Sequence, residues 1–331
     1  MGHTIIVTHN DLDGLGSAAA YLRIRGLSLE DSTLIFAEPY ELHTTLQSLI
    51  DNVAEGDTIA IMDLGMNAEN LRHVIEYTSS LLEQGAEVEW YDHHIWGPEA
   101  EELRRLGVRV YIDTATCATG VVAKYASLIY GYNLNSDHAL LELVRAVCAA
   151  DLWRWDHHLA PKLFRIVGNE GKNSEGEKWR RFLVEKFREG ILWCEEFEEA
   201  LTSYVNKELR SYHKVLASIA NASKGACRVA AVIKPRGPPA NSLIGAMILS
   251  RFNANIAVII RENGAVSLRS RTLDVQKIAS RLGGGGHPRA AGAKLRIPFW
   301  VRVLSGFYPR IISRYIARKI LVTAVESGLC G

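Results

Sequence analysis

The chain has 331 residues, with 38 Lys+Arg against 37 Asp+Glu for a formal net charge of +1; 48% of its residues are hydrophobic and 23% charged. At about 100–200 residues per domain this predicts two domains of ordinary soluble composition. Near-neutrality disfavours a long electrostatic track for nucleic acid, because such tracks rely on a basic excess that releases counterions from phosphates.

No run approaches the roughly 18 consecutive apolar residues of a membrane span, and MGHTIIVTHNDLDG at the start carries no signal-peptide pattern, so a cytoplasmic protein without membrane contact is expected. The five cysteines, Cys117, Cys148, Cys194, Cys227 and Cys330, are odd in number and contain no C-x-x-C pair. They read as separate, small buried thiols in a reducing compartment.

Taken in chain order, the β-branched run TIIVT (4–8) predicts a buried strand that delivers His9, Asn10, Asp11 and Asp13 to a loop, after which GLGSAAA (14–20) starts a helix on small residues. The arrangement recurs twice. TIAIM (58–62) leads into Asp63, and EVEWY (87–91) leads into Asp92, His93 and His94; between them 68–84 has helical spacing at Leu71, Val74, Ile75, Leu81 and Leu82. Strands alternating with helices predict an α/β fold, a parallel sheet covered by helices on both faces, with ligands at the carboxyl ends of the strands. The polar stretch 170–178 reads as an exposed loop. From 187 to 219 apolar residues recur every three to five positions, a helix long enough to join two lobes, and 221–225 break it. From Arg228 a smaller alternation of strands and helices begins. The expected division is 1–185 for the first domain, 186–225 for a helical linker, and 226–331 for a second α/β domain with a C-terminal extension.

Chemistry concentrates at the ends of these elements: His9, Asp11, Asp13, Asp63, Asp92, His93, His94 and, after the apolar helix LLELVRAVCAA, Asp151. Carboxylates and imidazoles without thiolates suit Mn²⁺ or Mg²⁺. This set is larger than one ion needs and suits two ions about 3.5–4 Å apart that share a carboxylate and clamp an attacking water and a phosphoryl oxygen. Residues 9, 11 and 13 share one parity, so in extended backbone they project to the same side. Singly, each has a plain structural role, Asp63 as a helix N-cap or Asp13-Gly14 as a turn. Four clusters at element exits outweigh those roles.

The second signal is GGGGHPRAAG (283–292). Its glycines can bring successive backbone N–H groups against a phosphate, His287 and Arg289 add charge, and Ala-Ala-Gly suits close packing at a helix start. A strand at 266–271 ending in Arg269, Ser270 and Arg271 precedes it, with a short helix at 275–282 between. Asp156-His157-His158 closes no apolar strand and reads as a helix or loop feature outside the ligand set. Trp153 and Trp155 suit either base stacking or packing. The basic amphipathic stretch 311–325, with Arg310, Arg314, Arg318 and Lys319 on it or beside it, invites a membrane or nucleic-acid reading, but intramolecular packing or a homodimer contact is preferred, the basic face lining the substrate path.

The motifs THNDLDG (8–14), IMDLG (61–65), YDHH (91–94), AADLW (149–153), and SLRS (267–270) with GGGGHPRAAGA (283–293) together resemble the DHH phosphoesterase superfamily in the form with a C-terminal DHH-associated domain. The resemblance runs in order to about residue 298. It implies a two-lobed enzyme with two Mn²⁺ in the first lobe, Mg²⁺ or Co²⁺ being substitutes, and a substrate grip in the second. His9, Asp11 and Asp63 would ligate one ion, and Asp13, Asp63, His93 and Asp151 the other. His94 would lie beside the scissile phosphate, with Asp92 orienting the histidines. Arg269, Ser270, Gly284, Gly285, Gly286, His287 and Arg289 would hold a terminal phosphate or nucleotide. The implied activity is hydrolysis of short oligonucleotides, linear dinucleotides or 3′-phosphoadenosine 5′-phosphate. The compact H-x-D-x-D motif is closer to RecJ-type and pyrophosphatase-type members, so a single-strand 5′–3′ exonuclease is the alternative; a nucleotide-binding protein with an idle site is disfavoured by the complete ligand set.

Overall fold

In the first unit the branched apolar runs become a sheet. Strand β1 (Thr4–His9) leads to helix α1 (Leu12–Arg25), β2 (Ser32–Ala37), α2 (Leu42–Leu49), β3 (Thr58–Met62), α3 (Leu71–Glu83), β4 (Glu87–Asp92), α4 (Glu99–Leu106) and β5 (Arg109–Ile112). The five strands are all parallel in the order β2-β1-β3-β4-β5. Residues 4–8 of β1 and all of β3 are buried, the mark of strands covered on both faces. Helices α5 (Ala118–Tyr130), α6 (His138–Asp151), α7 (Ala160–Val167) and α8 (Ser174–Arg188) complete the unit, and α9 (Glu195–Ser218) carries the chain onward. This computed structural model describes residues 2–66, 69–168, 174–261, 263–305, 308 and 310–330, and it divides into units at 1–201 and 202–331.

Alternation along each strand feeds two cores. Ile6, Ala60, Met62 and Tyr91 face Leu15, Leu22, Val121, Val147 and Leu183 from helices on one side. Val7, Ile59, Ile61 and Trp90 face Leu46, Val74, Leu81 and Leu103 on the other. Each fully buried Leu or Ile contributes on the order of 1.5–3 kcal/mol. One carboxylate sits inside: Glu89, wholly buried, accepts hydrogen bonds from the hydroxyls of Tyr21 (2.9 Å), Tyr91 (2.8 Å) and Tyr130 (2.5 Å) and from Arg109 (2.7 Å). Four donors satisfy the buried charge and tie β4 to α1, α5 and β5.

The second unit is smaller. Strands β6 (Ala220–Lys224) and β7 (Cys227–Ile233), helix α10 (Asn241–Arg251), β8 (Ile256–Ile260), β9 (Ala265–Arg269), α11 (Val275–Arg281), β10 (Gly285–His287), β11 (Ala290–Lys294), α12 (Phe299–Ser305) and α13 (Ile311–Glu326) follow. Its sheet, β10-β11-β9-β8-β7-β6, is antiparallel except for the β7–β8 pair. Val215 and Ile219 with α10 cover one face, and α11, α12 and α13 the other.

Several expectations are corrected. Residues 174–178 of the expected polar loop form the start of α8, while 170–173 lie outside the described residues. The helix expected from 68 begins at Leu71, and residue 68 is not described. Residues 220–224, read as the broken end of a linker, are an edge strand of the second sheet. Ala290-Ala291-Gly292 does not start a helix: it is strand β11, paired with β10 and β9. The reading of the cysteines as separate thiols is overturned too. Cys117 is bonded to Cys148 and Cys227 to Cys330, leaving Cys194 free. Pairs 31 and 103 residues apart are invisible to a spacing rule that looks for neighbours. Among the described residues no helix is long and apolar enough to cross a membrane.

Candidate metal centre

The parallel register builds the site. Thr8 pairs with Met62 and Met62 with Tyr91, so the next residues, His9, Asp63 and Asp92, leave β1, β3 and β4 along one sheet edge. Asp63 turns out of β3 with φ 54°, in the left-handed region, and its N–H donates to Tyr91 O at 3.0 Å. A non-glycine residue held there is stabilised by its surroundings at a local cost, a common feature of functional positions.

His9, Asp11 and Asp13 do converge, though not by strand alternation. The strand ends at His9, Asp11 caps α1 by accepting from the N–H groups of Asp13 (3.2 Å) and Gly14 (3.1 Å), and Asp13 already lies in the first helical turn. Gly14 permits the sharp entry, because a Cβ there would stand 2.1 Å from His9 O.

Two ligand sets share Asp63. His9 Nδ1 is 3.0 Å from Asp11 Oδ2 and 3.6 Å from Asp63 Oδ2. His93 Nε2 is 3.7 Å from Asp13 Oδ2, 3.6 Å from Asp63 Oδ1 and 3.7 Å from Asp151 Oδ2. Asp63 thus turns one oxygen to each set. Within the sets His9, Asp11, Asp63 and Asp13, His93, Asp151, the donor atoms lie within 4.8 Å of one another.

The sets pass a direct test of fit to divalent ions. Asp63 Oδ2 is buried and has no hydrogen-bond partner, a costly condition that a cation would relieve. Burial, and then the charges of Asp11 and Asp13, push the Asp63 carboxyl well above the usual range. Burial, and then the charges of Asp13 and Asp11, push Asp151 up to about 8. Burial likewise raises Asp13. For His9 burial opposes the charged form, yet the Asp11 charge and the interactions with Asp11, Asp63 and Glu38 together outweigh it and the pKa rises; Asp11 falls because its interactions with His9, Gly14 N–H and Asp63 together outweigh its own burial. Buried carboxylates crowded so that Asp63, Asp13 and Asp151 are all shifted toward the neutral form have the electrostatics that a cation would relieve, and the two sets are candidate metal groups.

Neighbouring groups fix the ligands. Asp13 accepts from Ala118 N–H (2.7 Å), Thr119 N–H (2.8 Å) and Thr119 Oγ1–H (2.7 Å) at the start of α5. Asp92, fully buried, is 2.8 Å from His94 Nδ1 and accepts from His93 N–H (2.8 Å) and Trp96 Nε1–H (2.6 Å). Burial works against the Asp92 charge, but these hydrogen bonds together with the His94 charge outweigh it and lower its pKa; burial also works against the His94 charge, and the bond and charge of Asp92 with the charges of Asp151 and Asp13 together outweigh that and raise it. The Cys117–Cys148 bridge links the residue before α5 to α6 three residues ahead of Asp151.

Sequence reasoning missed three members of this setting. Glu38 lies 3.5 Å from His9 Nε2, Thr119 braces Asp13, and Trp96 braces Asp92. Glu38 had a signal, since it follows an apolar strand just as Asp63 does; Thr119 and Trp96 had none, being brought in by packing.

The second D-H-H remains apart. His157 Nδ1 accepts from Leu159 N–H at 3.2 Å, so Nε2 carries the proton toward Glu142 Oε1 at 2.8 Å. With both ring nitrogens engaged, His157 braces a turn. Trp153 and Trp155 meet each other at 4.7 Å and pack edge-on against Phe164.

In the second unit, Arg269 on β9 and His287 on β10 are both in register with Ala290 of β11, so they share one level of the sheet. Arg289 is exposed in the β10–β11 turn, and Gly285 and Gly286 form the exposed edge strand with His287. Gly284 permits a close approach, because a Cβ would stand 2.0 Å from Gly292 O. Burial lowers the Arg269 pKa. The Ser270 hydroxyl donates to Asn255 O (2.7 Å) and accepts from Leu273 N–H (3.0 Å), which secures a turn at the end of β9. Asn241, unnoticed in the sequence, donates to Ser267 Oγ at 3.1 Å with its Oδ1 buried and unpartnered.

A parallel sheet that presents two carboxylate–histidine sets around a shared Asp has the form of a candidate divalent-cation site on an α/β fold, and comparison with known proteins names the family. The DHH family N-terminal domain matches residues 3–150 and the DHHA1 domain residues 240–298. The chain belongs to the DHH phosphoesterase superfamily. It is 23% identical over 313 residues to the oligoribonuclease NrnB of Bacillus subtilis (strain 168), covering 88% of this chain and 72% of that protein. Its fold is similar to the pGpG-specific phosphodiesterase PggH of Vibrio cholerae (15% identity, 94% and 99% coverage, TM-score 0.58) and to RecJ of Thermus thermophilus in complex with Mn²⁺ (16% identity, TM-score 0.61), covering 96% of this chain and 52% of RecJ.

Proposed function

We propose that this DHH-family phosphoesterase is a manganese-dependent phosphodiesterase that hydrolyses short oligonucleotides and linear dinucleotides, and also 3′-phosphoadenosine 5′-phosphate. The observation that carries the reading is the pair of ligand sets sharing Asp63, whose inner oxygen is buried and unpartnered. Two divalent ions, when bound, supply a water of lowered pKa and neutralise phosphoryl charge. His9, Asp11 and Asp63 would hold one and Asp13, Asp63, His93 and Asp151 the other. His94, its pKa raised and its ring aimed by Asp92, donates a proton to the leaving oxygen. Arg269, His287 and Arg289 hold the far phosphate. The names of the relatives, an oligoribonuclease, a pGpG phosphodiesterase and an Mn²⁺-binding RecJ, support this chemistry.

A second reading, a RecJ-like 5′–3′ exonuclease on single strands, draws on a different observation. Residues 202–331 hold 21 of the 38 Lys+Arg but 4 of the 37 Asp+Glu. The test is a panel of 5′-phosphorylated oligonucleotides from two to about twenty units, with cyclic dinucleotides and 3′-phosphoadenosine 5′-phosphate, assayed with Mn²⁺. The proposed function requires the highest kcat/KM on the shortest substrates. A rate rising with length selects the exonuclease, and inertness toward the whole panel overturns both.

A further inference from the structure

The basic excess of the second unit has a specific focus outside its phosphate grip. From Lys294 to the end the sequence carries seven Lys or Arg and a single acid, Glu326, and residues 299–330 lie beyond the DHHA1 match at 240–298. Helix α13 buries Ile316, Ala317 and Ile320 against its own sheet, so the expectation of intramolecular packing describes its inner side. Its outer side carries Arg310, Arg314 and Arg318, all exposed, at intervals of four residues. On a helix this makes a ridge of cations spaced about 6 Å apart along the axis, comparable to successive phosphates of an extended single strand. Neither Arg314 nor Arg318 is paired with a carboxylate among the described residues.

Depressions flank the ridge on both sides. One, of about 370 Å³, is lined by Arg251, Phe252, Arg310 and Arg314 and by no acidic residue. The other, of about 740 Å³, has Trp300 and Tyr315 in its wall beside Arg314, Arg318 and Lys319, with Glu326 at its rim as a single acid. Trp300 is 57% exposed and Phe299 81% exposed; the Trp300 and Tyr315 rings meet edge-on at 6.2 Å.

We propose that the α12–α13 extension is a binding surface for single-stranded nucleic acid, the arginine ridge following the phosphates and the exposed aromatic rings receiving bases. Alternating cations and rings is the chemistry that holds single strands without reading sequence. An anionic membrane is the competing occupant. Val303, Leu304 and Val322 of the extension do stay exposed, but α13 spends Ile316, Ala317 and Ile320 on the core, and positive charge extends over the whole unit, as a polyanion longer than one headgroup requires, so the single strand is favoured. The inference rests on the proposed function only in taking the strand to be a substrate; binding itself is separable from hydrolysis.

The test uses the full chain in EDTA, with a fluorescein-labelled 20-residue oligouridylate read by anisotropy across a salt series. R314E/R318E is expected to weaken binding about tenfold or more and to reduce the log–log salt slope by roughly 1.4, two contacts at about 0.7 each, with melting temperature unchanged. Trp300→Ala weakens binding at constant slope, separating stacking from charge. With Mn²⁺, R314E/R318E retains native kcat/KM on a dinucleotide but has a raised KM on the 20-mer. Wild-type affinity and slope in R314E/R318E overturn the proposal. So does sedimentation with phosphatidylglycerol vesicles that depends on Arg314 and Arg318 while oligouridylate binding does not. If no oligonucleotide is hydrolysed, the proposed function falls, and the anisotropy result still decides this one.

Discussion

The two units treat charge in opposite ways. Residues 1–201 hold 33 of the 37 Asp+Glu and 17 of the 38 Lys+Arg; residues 202–331 reverse the balance with 4 and 21. In the first unit, acids meet cations on the surface, as in Arg109 with Glu87 (2.8 Å) and Lys124 with Asp113 (2.9 Å), and buried carboxylates gather around Asp63. In the second, four acids are too few for 21 bases, so the excess stays available to an anionic ligand. The net charge of +1 is a cancellation between an acidic, cation-seeking unit and a basic, anion-seeking one. A whole-chain charge argument against nucleic acid therefore fails for the unit that would bind it.

Three experiments strain this contrast. The largest effect is expected from Asp63→Ala, which removes the carboxylate shared by both ligand sets: hydrolysis with saturating Mn²⁺ should fall at least about 10³-fold, while oligonucleotide binding by the second unit is unchanged. A joint loss of both would show that the units do not divide the work. Next, Asp92→Asn should cost about 10–100-fold in kcat, as for other groups that orient a catalytic or ligating histidine. The same change should shift the basic limb of the pH–rate profile to lower pH, because His94 loses the carboxylate charge that helps to raise its pKa. An unchanged profile would remove His94 from the proton transfer.

The smallest effect is pH linkage in the acidic unit. Asp151 has its folded pKa raised from 3.8 to about 8, by burial and then by Asp13 and Asp11. Such a group stabilises the metal-free chain below pH 3.8, and that stability is lost as pH rises through about 8. An arriving ion must displace the proton, so Mn²⁺ affinity should climb roughly tenfold per pH unit for each proton released and level off above that window. Calorimetry at several pH values checks this; an affinity independent of pH from about 6 up to about 8 would mean that no ligand starts protonated.

Legibility follows the range of the interactions. Periodicity exposes the parallel strands, and the motifs at their ends expose every residue of the two ligand sets, because each lies within a few positions of a strand or helix terminus. The start of helix α8 is hidden because its first turn, Ser174 to Lys178, is polar on a surface where propensity and position, not hydrophobicity, decide. Strand β11 is hidden because Ala-Ala-Gly suits a helix in isolation, and pairing with β9 overrides it. Cys117–Cys148, Thr119 beneath Asp13 and Trp96 behind Asp92 join residues that only packing brings together.

Composition, strand-end motifs and order along the chain are local properties, and they sufficed to identify the family, the two-unit plan and the candidate ligands. The tertiary structure alone decided that Asp63 faces both ligand sets, that four cysteines pair, and that the arginines of α13 stand on its outer side. Each of these depends on which long-range surfaces are buried. Burial removes water as a competing partner, so it sets both the electrostatics of the carboxylates left inside and the availability of the cations left outside.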